Sequence, residues 1–409
     1  MTAARKRIAI GTAAAVVIAT VAIGYKTTSR KSPGVATPAT GKSVRDLLRL
    51  SDAYIHRGED RSDLYAAEAA ESLAYAALEI DSLDVDVLNQ LAKAKYALKK
   101  FEEVLLLENY VLKLHPENPT AWGIQGDAYQ VTGGYRGADS SYHVMYAFDQ
   151  GFHSLLRIAR EEFLLRDYDK SIQFIDEAIE KAQEEEVGAH DLASAYADLA
   201  KILLARGYLE PALHNIDYAL ALQPGSAVAL SVKVRLLRAQ HKYGEAIGLC
   251  RRLVELSEHP RHKSALARLY RDVHRQAVTD SLVQIAAAEF EALSRDFPER
   301  VRRDQVTFYL EWDIERERAL RLARRESRER RDSSSYSLLA WAYHKNGDSH
   351  LAWSSIALAL RRGVKDPELL YRAAVIAKAA GKMDRYRTFS ERVREVVPNV
   401  EQVYGPLEP

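Results

Sequence analysis

The sequence predicts an all-α protein built as an α-solenoid, a stack of about ten helical hairpins. The chain of 409 residues has 20 glycines and 12 prolines, and no stretch alternates apolar and polar residues as a strand does. Its hydrophobic content of 47% and charged content of 28% are typical of a folded protein with a large core. A pattern of small and apolar residues also recurs about every 34 residues, which indicates repeated hairpins.

The first element is an apolar segment near the amino terminus. Residues 8–24 are apolar apart from Thr12 and Thr20, and the cations of residues 5–7 precede them. As a helix this segment would be about 26 Å long, which is close to the ~30 Å core of a bilayer. We interpret residues 1–25 as a transmembrane signal-anchor, with a cleaved signal peptide as the alternative.

Residues 26–44 follow as a flexible linker of Thr, Ser, Gly and Pro without apolar periodicity. Cations lie on both sides of the apolar segment in equal number, so the positive-inside rule does not fix its orientation. We expect a membrane-anchored protein with the bulk of the chain outside the cytoplasm, in the periplasm. A secreted protein and a protein that faces the cytoplasm are the alternatives.

The repeat occupies residues 45–398. Trp122, Gly126 and Tyr129 mark a first helix, and Ala138 and Tyr142 mark the second helix of the same hairpin. Equivalent residues stand one period earlier and several periods later: Leu88, Leu91, Ala92 and Phe101; Leu199, Ala200, Gly207, Ala212 and Ile216; Leu339, Ala340, Tyr343, Gly347 and Ala352. Residues 399–409 are predicted to be a carboxyl-terminal tail.

Each recurrent position has a physical role. Small residues let the two helices of a hairpin approach closely, and aromatic residues fill the gaps between neighbours. A proline near the end of each period ends the second helix. Glycine accepts the left-handed conformation that ends the first helix, and we expect this at Gly133, Gly207, Gly347 and Gly381.

The pattern resembles the tetratricopeptide repeat (TPR) family, most clearly over residues 85–260 and 333–398. The resemblance implies a right-handed superhelix that binds peptides or partner domains on its concave face, without catalysis. An anchor followed by such repeats is also similar to tethered scaffolds of bacterial envelope assembly. We therefore predict a membrane-tethered protein-interaction scaffold. The alternatives are a cytoplasm-facing adaptor and an enzyme whose site is assembled in the groove.

In this family the first helix of each hairpin lines the concave groove, and its ninth residue points inward. In this chain cations dominate at and near that position over the middle repeats. We predict a basic strip that binds a partner protein or an acidic peptide, although solvated surface cations would give the same pattern. The strip comprises Lys93, Arg157, Arg160, Lys201, Arg235, Arg238, Arg271 and Arg275, with Arg268 a turn away, and Phe308 and Trp341 form an apolar groove beyond it.

Residues 315–331 are rich in arginine, with carboxylates among them. Glu317 with Arg321 and Glu326 with Arg330 have the i,i+4 spacing that favours ion pairs on a solvated helix face. A docking patch for phosphate groups is the other interpretation. No nucleic-acid-binding motif and no interleaved aromatic residues accompany the arginines, which argues against a nucleic-acid partner.

The sequence carries no recognisable signature of catalysis or of a cofactor. The motifs for phosphate loops, dinucleotide binding, zinc proteases and serine nucleophile elbows do not occur. Cys250 is the single cysteine and the 12 histidines are scattered, so no metal site is predicted. The net charge of +1 provides no global field towards nucleic acid. We predict a protein without catalytic residues, cofactor or metal.

Overall fold

The computed structural model describes residues 42–165 and 167–407, which form helices and no strand. The all-α prediction is confirmed for this part of the chain. Its helices, in chain order, are α1 Val44–Arg61, α2 Ala66–Ile80, α3 Val85–Ala97, α4 Phe101–Leu114, α5 Pro119–Val131, α6 Tyr135–Phe148, α7 Phe152–Leu165, α8 Tyr168–Glu184, α9 Ala189–Ala205, α10 Leu209–Leu222, α11 Ala227–Ala239, α12 Tyr243–Leu256, α13 Pro260–Asp272, α14 Gln276–Asp296, α15 Pro298–Trp312, α16 Arg316–Arg330, α17 Ser333–Lys345, α18 Ser349–Leu360, α19 Pro367–Ala379, α20 Met383–Val396 and α21 Val400–Val403.

The predicted signal-anchor, residues 1–25, and nearly all of the predicted linker, residues 26–44, lie outside the described residues. Among the helices of residues 42–165 and 167–407, none combines the length and the apolar character that a bilayer crossing needs. The membrane tether therefore stays a prediction from the sequence.

Short turns join consecutive helices into hairpins, from α1 with α2 to α19 with α20, and α21 follows as a single short helix. The first helices α3 and α5 begin at Val85 and Pro119, and the second helices α4 and α6 begin at Phe101 and Tyr135. Both steps equal the 34-residue period that the sequence predicts. The prediction of about ten repeated hairpins is confirmed for the described residues.

The chain divides into two compact units. Within unit 2, each helix from α7 to α19 packs on the next helix in sequence. Unit 1 comprises the residues up to Gly58, Leu64–Gln130 and Arg136–Asp149, and unit 2 comprises Glu59–Asp63, Val131–Tyr135 and Gln150–Pro409.

Small residues allow close helix packing in unit 1, as the repeat pattern predicts. The Tyr142 ring of α6 is buried against Gly126 of α5, where an added Cβ would overlap the ring. The Tyr142 hydroxyl donates to Oδ1 of Asp127 at 2.8 Å, which satisfies the polar end of a buried side chain. A side chain at position 126 would force these two helices apart.

In the hairpins that begin with α3, α5, α9, α11, α13, α15, α17 and α19, the turn after the first helix contains a residue in the left-handed conformation. The four predicted glycines adopt φ values of 69° to 81° there: Gly133, Gly207, Gly347 and Gly381. Other hairpins place a residue with a side chain at the equivalent position, with φ between 57° and 61°: Lys99, His241, His274 and Asp313. The turn geometry is thus a constant of the repeat, and glycine is its least strained solution.

The segment after Pro398 is packed rather than extended into solvent. Val400 and Leu407 are both 2% exposed, and they join an apolar cluster of unit 2 that includes Phe389 and Val393. The predicted tail of residues 399–409 is therefore part of unit 2 as far as Leu407.

Candidate functional site

A cleft of about 340 Å³ lies in unit 2 between the first helices of successive hairpins, α9, α11 and α13. This volume is at the lower end of the ~300–1,000 Å³ typical of ligand pockets. The first helices of the hairpins thus line the recess, as the family resemblance implies. Its lining comprises Lys201, Val228, Ser231, Val232, Val234, Arg235, Arg238, Leu253, Arg261, His262, Ala265, Arg268 and Leu269.

The lining between the cations is mostly apolar. Val232, Leu253 and Leu269 are buried, and Val228 and Ala265 are half-buried. An apolar side chain of a ligand that left water here would gain about 1.5–3 kcal/mol if it became fully buried. The cleft therefore offers an apolar floor of the size of one or two side chains.

Five cations surround this floor: Lys201, Arg235, Arg238, Arg261 and Arg268. The first three belong to the predicted basic strip. The structure thus brings these three side chains together in one cleft, and their role in binding stays a prediction. Arg261 has a carboxylate nearby, because its Nη1 lies 3.7 Å from Oδ2 of Asp304.

Asp198 pairs with two residues of the predicted strip. Its Oδ2 accepts a hydrogen bond from Nη2 of Arg160 at 2.6 Å, and its Oδ1 accepts one from Nζ of Lys201 at 2.9 Å. Burial opposes ionisation of this carboxyl, but Arg160 and then Lys201 outweigh it and hold the pKa of Asp198 well below its usual range. Asp198 is therefore a permanent anion that neutralises part of the strip.

Similar ion pairs join the next first helices. Nε of Arg238 on α11 donates to Oδ2 of Asp272 on α13 at 2.5 Å. Arg268 on α13 donates to both carboxylate oxygens of Glu311 on α15, and Nη2 of Arg271 lies 3.8 Å from the same residue. Arg160, Arg238 and Arg268 thus each pair with a carboxylate on the first helix of the next hairpin, and we call these three pairs the ion-pair ladder.

Arg235 differs from the cations around it. Its side chain is exposed, and no carboxylate lies within ion-pair distance of it in the part of the chain that the structure describes. At longer range its positive charge favours the ionised forms of Asp366 and Tyr404. Arg235 is therefore the cation of the cleft with the greatest capacity to pair with a ligand carboxylate.

Arg275 does not lie on a first helix, which corrects its place in the predicted strip. It precedes Gln276, the first residue of α14, and belongs to the turn after α13. Because α13 begins at Pro260, its ninth residue is Arg268, and that residue does line the cleft. The repeat pattern placed the inward-facing position at Arg275 instead, because few of the recurrent small and apolar residues occur in this hairpin.

The remaining cations of the strip are dispersed. Lys93 is half-buried on α3 in unit 1, whereas the cleft belongs to unit 2. Arg157 is half-buried on α7. The guanidinium of Arg271 stacks over the Trp312 ring at 4.6 Å from the ring centre. This cation–π contact leaves Arg271 less available to bind a ligand.

The predicted apolar groove is wrong for Phe308. This side chain is 2% exposed and packs against Phe290, with ring centres 5.1 Å apart. α15 begins at Pro298, so Phe308 falls past the inward-facing position and enters the core. Trp341 is half-buried, and the cations of Arg372 and Lys345 lie over its ring at 5.8 and 6.0 Å.

The arginine-rich segment, residues 315–331, is partly buried. Glu326 of this segment is 1% exposed, and its Oε2 lies 3.3 Å from Nη1 of Arg302 on α15, which is 2% exposed. Arg303 and Arg330 approach the same carboxylate at 3.2 and 3.5 Å. The predicted pair of Glu326 with Arg330 is present, but it belongs to a buried network between α15 and α16 and not to a solvated face.

The histidine of the cleft wall is a poor base. His262 is buried, and desolvation, followed by the charge of Arg261, lowers its pKa to about 2. Cys250, which is also buried, has its pKa raised to about 12 by burial. A general base in the physiological range would need a pKa near the working pH, and neither group meets that condition.

The sequence-based prediction missed three carboxylates of the site: Asp198, Asp272 and Glu311. Their positions in the sequence indicate a place in the groove, because each lies within one helical turn of a residue already assigned to it. A search for carboxylates one turn from the inward-facing position would have found all three.

No family model and no curated protein matches the chain. Several solved structures have a similar fold. PilF of Pseudomonas aeruginosa shares 16% identity over 53% of this chain and 92% of its own, with a TM-score of 0.41. A tetratricopeptide repeat protein from Parabacteroides merdae shares 16% over 61% and 93%, with a TM-score of 0.40. Human IFIT1, as a dimer with PPP-AAAA, shares 16% over 78% and 83%, with a TM-score of 0.43. At this level of likeness nothing follows about function.

The hairpins themselves define the class of protein. Unit 2 is an all-α, TPR-like repeat whose first helices line a cleft with a basic rim and an apolar floor.

Proposed function

We propose that the chain is a non-catalytic protein-interaction scaffold, and that the cleft of unit 2 binds an acidic segment of a partner protein. One observation carries the proposal. Arg235 presents an exposed guanidinium without a carboxylate partner in the described part of the chain, beside an apolar floor. A ligand with a carboxylate next to an apolar side chain complements both features.

The energetics favour a carboxylate over a neutral group. Arg235 offers a planar fork of N–H donors, and a bidentate bond to a carboxylate is roughly twice as strong as a neutral hydrogen bond. Lys201 and Arg238 stand nearby, but each already has a carboxylate partner. Because these carboxylates neutralise part of the charge of Lys201 and Arg238, Arg235 is the anchor for the carboxylate of the ligand.

The test is a titration of the intact chain with a short fluorescein-labelled peptide of alternating glutamate and leucine. The control peptide alternates glutamine and leucine and has the same apolar content. We expect the acidic peptide to bind at least tenfold more tightly, because a hydrogen bond to a charged group contributes about 1.5–3 kcal/mol. The preference should shrink as sodium chloride is raised. Equal affinity for the two peptides would contradict the proposal.

We also propose that residues 8–24 tether the protein to a membrane, with the repeats outside the cytoplasm. The apolar run of residues 8–24 supports the tether, whereas cations flank the run in equal number, so the orientation is a hypothesis that the following test decides. A reporter that is active only in the cytoplasm, fused after Pro409, tests the orientation. The proposal predicts no signal, and the same reporter fused to a chain without residues 8–24 is the positive control. A full signal from the intact fusion would overturn this orientation.

A further inference from the structure

Hairpins far apart in sequence meet inside unit 2, and they meet at a nearly constant separation. Hydrogen bonds join pairs of residues that stand 192 to 199 positions apart, which equals about six periods of 34 residues. The stack of hairpins in unit 2 therefore curves through a full turn and touches itself. We call this line of contact the seam, and its pairs are Ser62 with Arg261, Val131 with Arg330, Tyr135 with Ser333, Tyr168 with Lys365, Ala205 with Tyr404 and Gly207 with Asn399.

The seam advances by one hairpin at a time on both of its sides. One side consists of the turns that follow the first helices α5, α7 and α9. Their partners lie, in the same order, at the start of α17, before α19 and after α20. The seam thus runs along three successive hairpins and is more than a single crossing of two loops.

Backbone and apolar contacts add to the seam. The backbone N–H of Lys365 donates to the carbonyl of Leu164 at 2.7 Å. Tyr135, Leu164 and Leu165 pack against the apolar cluster of unit 2 that contains Val364. A peptide needs about 4.7 Å between its backbone and the next one even when it pairs as a strand. No peptide can therefore pass between the two sides of the seam while these contacts hold.

Glycine is needed at the seam for a reason besides the turn geometry. A Cβ at Gly207 would overlap the side chain of Asn399, and a Cβ at Gly133 would overlap the backbone carbonyl of Arg331. Gly347 has a similar left-handed φ, but a Cβ there would meet nothing within 4 Å. Alanine at Gly207 or Gly133 would push the two sides of the seam apart, whereas alanine at Gly347 would strain only its own turn.

The cleft lies on the inner side of this curve. It is lined by first helices, and first helices of successive hairpins also pack on one another, as α9 does on α11 and α13 does on α15. In the described part of unit 2, no two second helices of successive hairpins pack to the same extent. The first helices are therefore closer to the axis of the turn, and the cleft faces that axis.

Both edges of the groove are covered beside the cleft. At the end of α9, the Tyr404 hydroxyl donates to the carbonyl of Ala205 at 3.3 Å. At the start of α13, Nη2 of Arg261, which lines the cleft, donates to Oγ of Ser62 at 2.6 Å. The groove is thus closed along its sides at this point.

The number of hairpins in the turn limits the width of the space inside it. Helices that pack together have axes roughly 10 Å apart and a diameter of about 10 Å with their side chains. About six first helices in a ring therefore enclose a channel on the order of 10 Å wide. Such a channel admits one extended polypeptide but not a folded domain.

We propose that unit 2 encloses its cleft in a channel, and that the partner presents its acidic segment as an unfolded chain next to a free terminus. The terminus enters along the axis of the turn, because the seam closes the sides. An acidic loop between two folded domains does not reach the cleft. The inference rests on the proposed function, because it names the kind of partner that the same cleft takes.

The test compares three ligands that share one fluorescein-labelled glutamate–leucine segment. The first is the free peptide, the second carries a folded ubiquitin domain at one terminus, and the third carries ubiquitin at both termini. Fluorescence anisotropy with the intact chain measures each affinity. We expect the first two ligands to bind alike and the third to lose binding, because no free terminus remains to enter the channel.

Equal binding of the double fusion would overturn the channel and leave the proposed function intact. Loss of binding by the single fusion as well would also overturn it, because one domain would then be enough to block the cleft. Absence of binding by the free peptide would instead contradict the proposed function, and the channel proposal would fall with it.

A seam variant, Gly133→Ala with Gly207→Ala, tests whether the seam closes the channel. The matched control is Gly347→Ala with Gly381→Ala, because these glycines also have left-handed φ but have open space around them. We expect the seam variant to bind the double fusion as tightly as the free peptide, whereas the control should exclude it as wild type does. Hydrogen exchange of the backbone N–H of Lys365, which donates across the seam, reports opening without any ligand and should be faster in the seam variant. Continued exclusion of the double fusion by a seam variant with fast exchange would overturn the proposal.

Discussion

Asp198 decides how much of the predicted basic strip is available to a ligand. Its carboxylate lies between Arg160 and Lys201 and accepts hydrogen bonds from both. A sequence shows the cations at their repeat positions, but it does not show which of them already has a partner. Among the cations of the strip, we therefore expect Arg235 to contribute most to binding the carboxylate of a ligand.

Asp198→Asn should raise the affinity for the glutamate–leucine peptide about threefold to tenfold. The change keeps the shape of the side chain but removes the negative charge that neutralises Lys201 at the rim of the cleft. Fluorescence anisotropy measures the affinity. Asp217→Asn is the matched control, because Asp217 pairs with Lys233, which does not line the cleft. An unchanged affinity in Asp198→Asn would show that the rim cations do not attract the ligand.

The same variant has a consequence for stability that depends on pH. The pKa of Asp198 is lowered in the folded chain, so its carboxylate stabilises the fold above the unfolded pKa of about 3.9, and this contribution is lost as the pH falls through the folded pKa. The free energy of unfolding at pH 7 should therefore be about 1 kcal/mol lower for Asp198→Asn than for wild type. The effect is small because Arg160 and Lys201 are partly exposed. The difference in the free energy of unfolding between the variant and wild type should become smaller at acidic pH.

The helices show where the repeat pattern is informative and where it fails. Left-handed turns follow the pattern closely, because the geometry between two helices of a hairpin allows few solutions. The inward-facing position is less reliable, since it depends on where each first helix begins. α14 spans 21 residues while α12 spans 14, and a fixed period cannot follow that change. The long α14 shifts the register of α15 and so misplaces Phe308, whereas Arg275 precedes α14 and is misplaced because few repeat landmarks mark its hairpin.

The hairpin of α15 and α16 has a charged network in its core. It buries Arg302 and Glu326, with Arg303 and Arg330 around them. The carboxylate balances the guanidinium, since an unpaired buried charge would be strongly destabilising. The i,i+4 rule considers partners on one helix only, so it could not predict that α15 supplies the other half of the network.

For residues 42–165 and 167–407, periodicity was enough to predict an all-α fold of about ten hairpins. Periodicity describes how each hairpin meets the next, and it holds no information on contacts such as that of Asn399 with Gly207. The cleft was predictable in part, because Lys201, Arg235 and Arg238 follow from the repeat register. Its apolar floor and its ion-pair ladder could not be predicted, because both depend on contacts between the first helices of successive hairpins.

The most direct test of the central claim is a charge swap at Arg235, read by anisotropy with two labelled peptides of alternating leucine, one with glutamate and one with lysine. Arg275→Glu is the control, because Arg275 is an exposed arginine in a turn outside the cleft. We expect Arg235→Glu to lose binding of the acidic peptide and to gain binding of the basic one, whereas Arg275→Glu should bind both peptides as wild type does. Retention of the acidic peptide by Arg235→Glu, at wild-type affinity, would contradict this expectation.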